Sequence, residues 1–359
     1  MLYLLTILPP NMPECEALSQ EISALRTRFG GDFVTINPNR SAVPPWHRLS
    51  MQGQAHGSRL SRFMYVPRLL FGLHKLRALR ALAAKHELCH LYNPDPFPFP
   101  VLHLLRRPVI YTVSSGLGKR RPNVAFFNAL ATVTVYDARS QKQLEGWGVR
   151  NVHRIPPGID TGRFTCTPVP LSGQAAEFRV LVASAPWTQT QFRTKGVDAL
   201  LDAARQAPNL KLIFLWRGVL VEEMLTRVHR MALGEQVQVI NRQVDVNQVL
   251  AQVHATISLA SDPAIIKAYP HALLDSLAAG KPVLVSRALP MSDYVEQVGC
   301  GKVIASVSAA DILEAIQALR RDYGALQASA QLVGQRDFPL EKTLSAFQEV
   351  YEYVRTNVS

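Results

Sequence analysis

Short apolar runs alternate with helical patterns along the first half of the chain. The runs predict strands at residues 2–8, 32–36, 87–92, 108–113, 131–137 and 152–156. Leucines at helical spacing, with lysine and arginine between them, predict a helix at 67–85, and a second helix is predicted at 14–28. This alternation indicates a mostly parallel sheet with helices on both faces.

A polar segment with proline and glycine, 167–177, precedes a second half in which the pattern restarts. This half predicts strands at residues 178–184, 211–216, 236–240, 255–260, 281–286 and 301–305. We therefore expect an α/β protein of two Rossmann-like domains facing a cleft, with ligands outside the carboxyl ends of the strands. The expected divisions are an N-terminal domain at 1–170, a C-terminal domain at 171–337, and an amphipathic helix at 338–359 that packs back on the N-terminal domain.

The charge is distributed unevenly between the two halves. The chain has 359 residues, a net charge of +12 and 48% hydrophobic residues, enough to bury a core. Residues 1–170 carry 21 Lys and Arg against 9 Asp and Glu, whereas residues 171–359 carry 18 against 18. A one-sided excess indicates a face that meets an anionic partner.

Several classes of protein are excluded. The four cysteines form no CxxC pair, which excludes a zinc ribbon and a disulfide scaffold and favours a reducing compartment. No apolar run reaches the roughly 18 residues of a membrane span, and we interpret the N-terminus as a strand, not a signal peptide. Dinucleotide, P-loop, zinc-protease and serine-hydrolase motifs are absent, and the histidines lack metal-ligand spacing.

Three segments in the second half form a distinctive series: WGVRNVHRIPPGIDTGRF (147–164), TKGVDALLDAARQAPNLKLIFLWRG (194–218) and YPHALLDSLAAGKPVLVS (269–286). In order and separation they resemble the motifs of glycosyltransferase family 4, the large retaining group with the GT-B fold. The resemblance implies transfer of a sugar from a nucleoside-diphosphate sugar to a hydroxyl of a lipid-linked or polysaccharide acceptor, with retention of configuration. It also implies no cofactor and no bound metal.

The first candidate group follows the strand that ends near Ala185. Lys195 and Gly196 open the next predicted helix, and a helix N-terminus with a lysine favours an anion. The resemblance implies that Lys195 binds the diphosphate and stabilises the leaving nucleotide, with Arg193 sharing this role and Ser184 in the same pocket. The alternative is an ordinary solvated lysine in a first helical turn.

The second candidate group lies in the predicted helix at 270–283, which Gly280 ends. The family has two carboxylates eight residues apart here, and these positions hold Lys267 and Asp275. The resemblance implies that Asp275 binds the ribose and that His271 and Leu274 also contact the sugar donor.

Lys267 reverses the charge at the position where the sugar is expected. Three explanations stay open. Lys267 pairs with an anionic donor sugar such as a uronic acid, it pairs structurally with Asp262 or Asp275, or sugar-donor binding has been lost.

In the first half, Ser114 stands where the family often has a histidine near the transferred sugar, and residues 9–13 replace its glycine-pair loop. Since a hydroxyl cannot become a cation, Ser114 is expected only to donate a hydrogen bond. His90 matches another histidine position of the family and is a candidate for acceptor binding. The alternative is a hydrogen-bonded histidine in the core.

Two basic segments are candidates for the anionic partner. The loop with Lys119, Arg120 and Arg121 is interpreted either as an acceptor site or as a solvated surface run. Residues 59–85 form a basic, apolar-faced region that either docks on an anionic membrane or packs on the sheet. No nucleic-acid-binding motif is present, so no nucleic acid is expected. We expect a cytoplasmic protein, with peripheral attachment to the inner face of a membrane.

A different class of function competes with the enzyme. The loss of the family's first motif glutamate, its histidine and its glycine loop favours a catalytically silent GT-B protein that binds a sugar, a nucleotide or a protein. A third hypothesis is an active enzyme with another kind of sugar donor, similar to a phosphorylase.

Overall fold

The computed structural model describes residues 1–5, 16–35, 73, 76–171, 176–216 and 220–357. The chain divides into two compact units: unit 1 is Met1–Pro156 with Thr343–Ser359, and unit 2 is Pro157–Lys342. Each unit contains one six-stranded sheet in which every described pairing is parallel. The predicted α/β class with two Rossmann-like units is confirmed.

The strands of unit 1 are ordered β2-β1-β3-β4-β5-β6. They are β1 (Leu2–Leu5), β2 (Asp32–Thr35), β3 (Cys89–Asn93), β4 (Val109–Val113), β5 (Thr132–Val135) and β6 (Val152–Arg154). The helices of this unit that precede Pro156 are α1 (Glu16–Phe29), α2 (Leu76–Ala83), α3 (Val124–Asn128) and α4 (Ala138–Gly146). All residues of β1, β3, β4 and β5 are buried. Burial on both faces explains why these strands are continuous apolar runs instead of alternating ones.

The strands of unit 2 are ordered β12-β11-β10-β7-β8-β9. They are β7 (Phe178–Val182), β8 (Leu210–Leu215), β9 (Val237–Ile240), β10 (Ala255–Ser258), β11 (Val283–Ser286) and β12 (Gly301–Ile304). The helices are α5 (Gln189–Thr194), α6 (Val197–Gln206), α7 (Val221–Arg230), α8 (Val246–Leu250), α9 (His271–Ala278), α10 (Met291–Val298), α11 (Ala309–Arg321) and α12 (Tyr323–Asp337). Each strand predicted for this half is present. The helix α5 was not predicted.

The core of unit 2 lies on both faces of its sheet. On one face, buried residues of β7, β8 and β10 pack with those of α6 and α11. On the other face, α9 packs with α12. Gly334 of α12 lies so close to α9 that a β-carbon there would stand 2.0 Å from the Leu277 carbonyl oxygen. The absence of a side chain at Gly334 therefore lets α12 pack directly against the end of α9.

The boundary between the units differs from the expected one at 170/171. Residues 157–170 are part of unit 2, because Ile159 lies in the core cluster of α9 and its backbone amide donates to the Phe338 carbonyl (3.0 Å). The last helix, α13 (Leu340–Asn357), contributes its residues from Thr343 onward to unit 1. There Arg355 forms an ion pair with Glu87 (3.0 Å).

Two predictions fall largely outside the described residues. Of the basic region 59–85, the structure describes Leu73 and residues 76–85, which include α2. The loop at 9–13 is not among the described residues either.

Candidate functional site

The junction between α5 and α6 positions Lys195 at the carboxyl edge of the unit 2 sheet. α5 ends at Thr194, and Gly196 begins α6 with a φ of 72°. A β-carbon at Gly196 would stand 2.6 Å from Leu259, the residue that follows β10, so only glycine fits here. The Ser261 amide also donates to the Thr194 carbonyl (2.8 Å). These contacts place Lys195 between the loops that follow β7 and β10.

The Lys195 ammonium lies against the loop that begins at Ser184. Its Nζ donates to the carbonyl oxygen of Ala185, the residue that follows the predicted Ser184 (3.1 Å). Among the described residues, no carboxylate forms an ion pair with it. Burial lowers the pKa of Lys195 to about 8, because desolvation disfavours the charged form. An ammonium in this setting has hydrogen-bonding capacity left for an anion.

The N-terminus of α6 also favours an anion beside Lys195. No side chain caps the N-terminus of α6, whose partial positive charge adds to that of the lysine. Arg193 lies exposed in the last turn of α5. The alternative of a fully solvated lysine in a first helical turn is not favoured, since Lys195 is half-buried and precedes the first residue of α6.

The second group lies at the N-terminus of α9. Pro270 precedes the helix, Ala279 and Gly280 end it as predicted, and Gly280 has a φ of 70°. Lys267 Nζ lies 3.5 Å from His271 Nε2. Asp275, one turn further along α9, is half-buried.

His271 is neutral and has one unsatisfied nitrogen. Burial, followed by the charge of Lys267, holds the pKa of His271 well below its usual range. Because an ammonium can only donate, Nε2 accepts from Lys267 and the proton resides on Nδ1. Nδ1 is buried and has no hydrogen-bond partner among the described groups. A buried donor without a partner is unusual in a core and indicates a place for a ligand or a water.

The prediction that Leu274 contacts the sugar donor is wrong. Its side chain is completely buried in the cluster that α9 forms with the sheet and α12. It therefore contributes to the core, and its side chain is not available to a sugar donor.

The prediction that His90 binds the acceptor is also wrong. The residue is completely buried in β3, where Nδ1 is bonded to the Tyr351 hydroxyl (2.8 Å) and Nε2 to the Thr112 hydroxyl (2.6 Å). Burial lowers its pKa to about 3. Because both ring nitrogens are used, His90 is the core histidine of the alternative interpretation and has no atom left for an acceptor.

The other predicted residues of unit 1 follow β4. Ser114 is buried, and its amide donates to the Asn93 carbonyl (3.0 Å), so the loop after β4 is joined to the loop after β3. Lys119, Arg120 and Arg121 are all exposed, and Arg121 also donates to the Trp147 carbonyl (2.7 Å). The unit thus presents exposed cations on the loop that follows β4.

Sequence reasoning missed two polar residues and one aromatic residue near these edges. Asn93 is buried at the end of β3 and donates to the Asp95 carboxylate (2.6 Å). Trp187 is exposed in the loop between β7 and α5. The sequence NPDPFP and the lone tryptophan after Pro186 are the only signals that could have indicated them.

The described part of the chain lacks two other kinds of feature. No three His, Cys, Asp or Glu residues there are arranged to hold a metal ion. Nor does any helix described there have the length and hydropathy needed to cross a bilayer.

Comparison with known proteins gives one match to a family model and many solved structures of similar fold. Residues 189–332 match the family model of the group 1 glycosyl transferases, and no curated protein matches the chain significantly. Among solved structures, Anabaena HepE in complex with UDP and glucose is 15% identical, with 98% of this chain and 99% of that chain covered and a TM-score of 0.71. Sucrose-phosphate synthase from Thermosynechococcus elongatus is 16% identical, with 99% of each chain covered and a TM-score of 0.71.

WaaG, a glycosyltransferase involved in lipopolysaccharide biosynthesis, is 14% identical, with 98% of this chain and 99% of that chain covered and a TM-score of 0.67. At these identities the likeness concerns the fold. The chain has the GT-B fold, and the family match covers both the Lys195 and the α9 groups of unit 2.

Proposed function

We propose that the protein is a glycosyltransferase whose unit 2 binds a nucleoside-diphosphate sugar and whose unit 1 presents the acceptor. The observation that carries this proposal is the Lys195 ammonium, half-buried between two loops and hydrogen-bonded to a single described carbonyl. The match of residues 189–332 to group 1 glycosyl transferases supports it. So do the UDP and glucose bound by HepE, which has the same fold.

In the proposed reaction, the bond between the anomeric carbon and the diphosphate oxygen breaks and a bond to an acceptor hydroxyl oxygen forms. The nucleoside diphosphate leaves, and its phosphate takes the hydroxyl proton. Lys195 stabilises the charge that develops on the leaving diphosphate, assisted by Arg193. Retention of configuration is proposed from the resemblance to family 4.

For the acceptor, we propose a lipid-linked or polysaccharide glycan, reached by a cytoplasmic protein at an anionic membrane surface. The excess of Lys and Arg in residues 1–170 supports this proposal. The exposed cations of unit 1 in the described residues include Arg77, Lys85, Arg106, Arg107, Lys119 and Arg120. An anionic leaflet attracts such a surface by about 1 kcal/mol per cation close to it.

The sugar donor can be identified by a thermal-shift panel of UDP, GDP, ADP, UDP-glucose and UDP-glucuronate. A ligand at 100 times its Kd stabilises the native state by about 2.7 kcal/mol, so we expect a clear shift with one nucleotide. If Lys267 binds an anionic sugar, UDP-glucuronate gives a larger shift than UDP-glucose, and Lys267→Glu removes the difference. Equal shifts would favour a structural role for Lys267. No shift with any ligand would favour the silent protein.

The depressed pKa of Lys195 predicts a pH dependence of binding. Only the protonated lysine attracts the diphosphate, and this form is lost as the pH rises through about 8 instead of the ordinary 10.5. We expect the affinity for UDP to fall about tenfold between pH 7 and pH 9, measured by titration calorimetry. Lys195→Arg stays charged over this range and should give a flat profile. A flat profile for the wild type would contradict the assigned protonation.

A further inference from the structure

One large aromatic side chain of unit 2 is exposed beside the candidate anion site. Trp187 has 46% of its surface exposed. Single exposed apolar residues are common, so the position of Trp187 matters more than its exposure. It follows Ala185 by two residues, which limits the distance between their α-carbons to roughly 7 Å. The Ala185 carbonyl oxygen accepts the hydrogen bond from the Lys195 ammonium.

The loop that carries Trp187 is held in place. The backbone amide of Trp187 donates to Gln191 Oε1 (2.8 Å), and the backbone amide of Gln191 donates to the Thr188 carbonyl (3.0 Å). Pro186 fixes one backbone torsion immediately before it. The indole is therefore presented by an ordered loop, which lowers the entropy lost on binding a ligand.

The contacts of α5 define which side of the site Trp187 occupies. At the start of α5, Gln189 accepts a hydrogen bond from Arg227 of α7, the helix that follows β8 (3.4 Å). At its end, Thr194 meets the loop that follows β10. Since β8 and β10 lie on opposite sides of β7, α5 runs across the carboxyl end of β7. Trp187 precedes α5 and lies on the β8 side, with Lys195 on the β10 side.

The two sides differ in chemistry. The β10 side carries Lys267, His271 and Asp275, whose charged and hydrogen-bonding groups suit the hydroxyls of a sugar. The β8 side presents a flat apolar indole, which suits the face of a nucleobase. A diphosphate at Lys195 would join the two parts of a single ligand. We propose that Trp187 is the stacking platform for the base of the nucleoside diphosphate, an inference that rests on the proposed function.

The experiment measures binding of UDP, GDP and ADP by titration calorimetry and follows the tightest of the three. Stacking on an aromatic side chain is sequence-tolerant and corresponds to about a tenfold change in Kd or more on truncation to alanine. We expect Trp187→Ala to weaken binding at least about tenfold and Trp187→Phe to remain within about threefold of the wild type. Leu225→Ala, at an equally exposed apolar position of α7, is the matched control and should bind normally.

The outcomes separate the inference from the function on which it rests. Binding by Trp187→Ala equal to the wild type would overturn the stacking role and leave the proposed function intact. An equal loss in the alanine and phenylalanine variants would also overturn it, because stacking tolerates one ring in place of another. Failure of the wild type to bind any of the three nucleotides would overturn the inference together with the proposed function.

Discussion

Replacing Lys195 by alanine is expected to weaken UDP binding by about 30-fold or more and to lower the rate of sugar transfer by about 100- to 1,000-fold. The variant loses the cation that meets the diphosphate in the ground state and the charge that stabilises its departure. Titration calorimetry measures the first effect. Release of nucleoside diphosphate from the sugar donor identified by the thermal-shift panel measures the second.

The same substitution is expected to leave the free energy of unfolding nearly unchanged. Burial disfavours the charged form of Lys195, so its removal does not cost the native state a favourable ion pair. The matched control is Lys211→Ala. Its Nζ also donates to a backbone carbonyl, that of Glu235 (2.9 Å), but it lies near the amino end of β8. Normal UDP binding by Lys195→Ala, or an equal loss in Lys211→Ala, would contradict the assigned anion site.

Replacing His90 by alanine is expected to destabilise the protein by about 3 kcal/mol without a direct effect on UDP binding in unit 2. The substitution opens a cavity where the imidazole packs against Tyr92 and Phe347, with ring centroids 4.4 and 5.2 Å away. It also removes the bonds to Tyr351 and Thr112. Denaturant unfolding at pH 7 measures the loss, and His103→Ala, at an exposed position, is the control.

His90 also predicts a pH signature. Its folded pKa of about 3 lies below the ordinary value of 6.5, so the unfolded state binds the proton first as the pH falls. The free energy of unfolding that the neutral His90 contributes is present at pH 7 and falls as the pH drops below 6.5. At pH 5 the loss is about 2 kcal/mol. The stability difference between the wild type and His90→Ala should narrow accordingly at pH 5. An acceptor role for His90 would instead be indicated by near-normal stability with a loss of transfer.

Much of the fold could be predicted because it depends on local pattern. A buried parallel strand is a short apolar run wherever its neighbours lie, and glycine and proline mark the ends of helices through their own torsion angles. The strands of both sheets and the helix that ends before Gly280 follow from such signals. Lys195 could be identified in the same way, since a lysine before a glycine-initiated helix is a local feature.

The candidate site could be predicted only in part. Apolar runs that are buried on both faces carry no alternation, so the pattern of β3 does not reveal whether His90 faces the core or solvent. Likewise, the donor contact that the resemblance implied for Leu274 fails, because its side chain is completely buried against α12 and the sheet. The six-residue helix α5 is too short for a periodic signal, and with it the position of Trp187 was missed.

The sequence by itself determined the α/β class, the two successive sheets, the uneven charge and the residues that flank the candidate anion site. Each of these depends on neighbours along the chain or on composition. The tertiary structure alone decided that His90 is bonded to Tyr351, 261 positions away, and that the half-buried Lys195 donates to the Ala185 carbonyl. It also decided that residues from Thr343 onward belong to unit 1. Burial and hydrogen bonding between distant segments set these outcomes, because desolvation and packing depend on what surrounds a side chain in space.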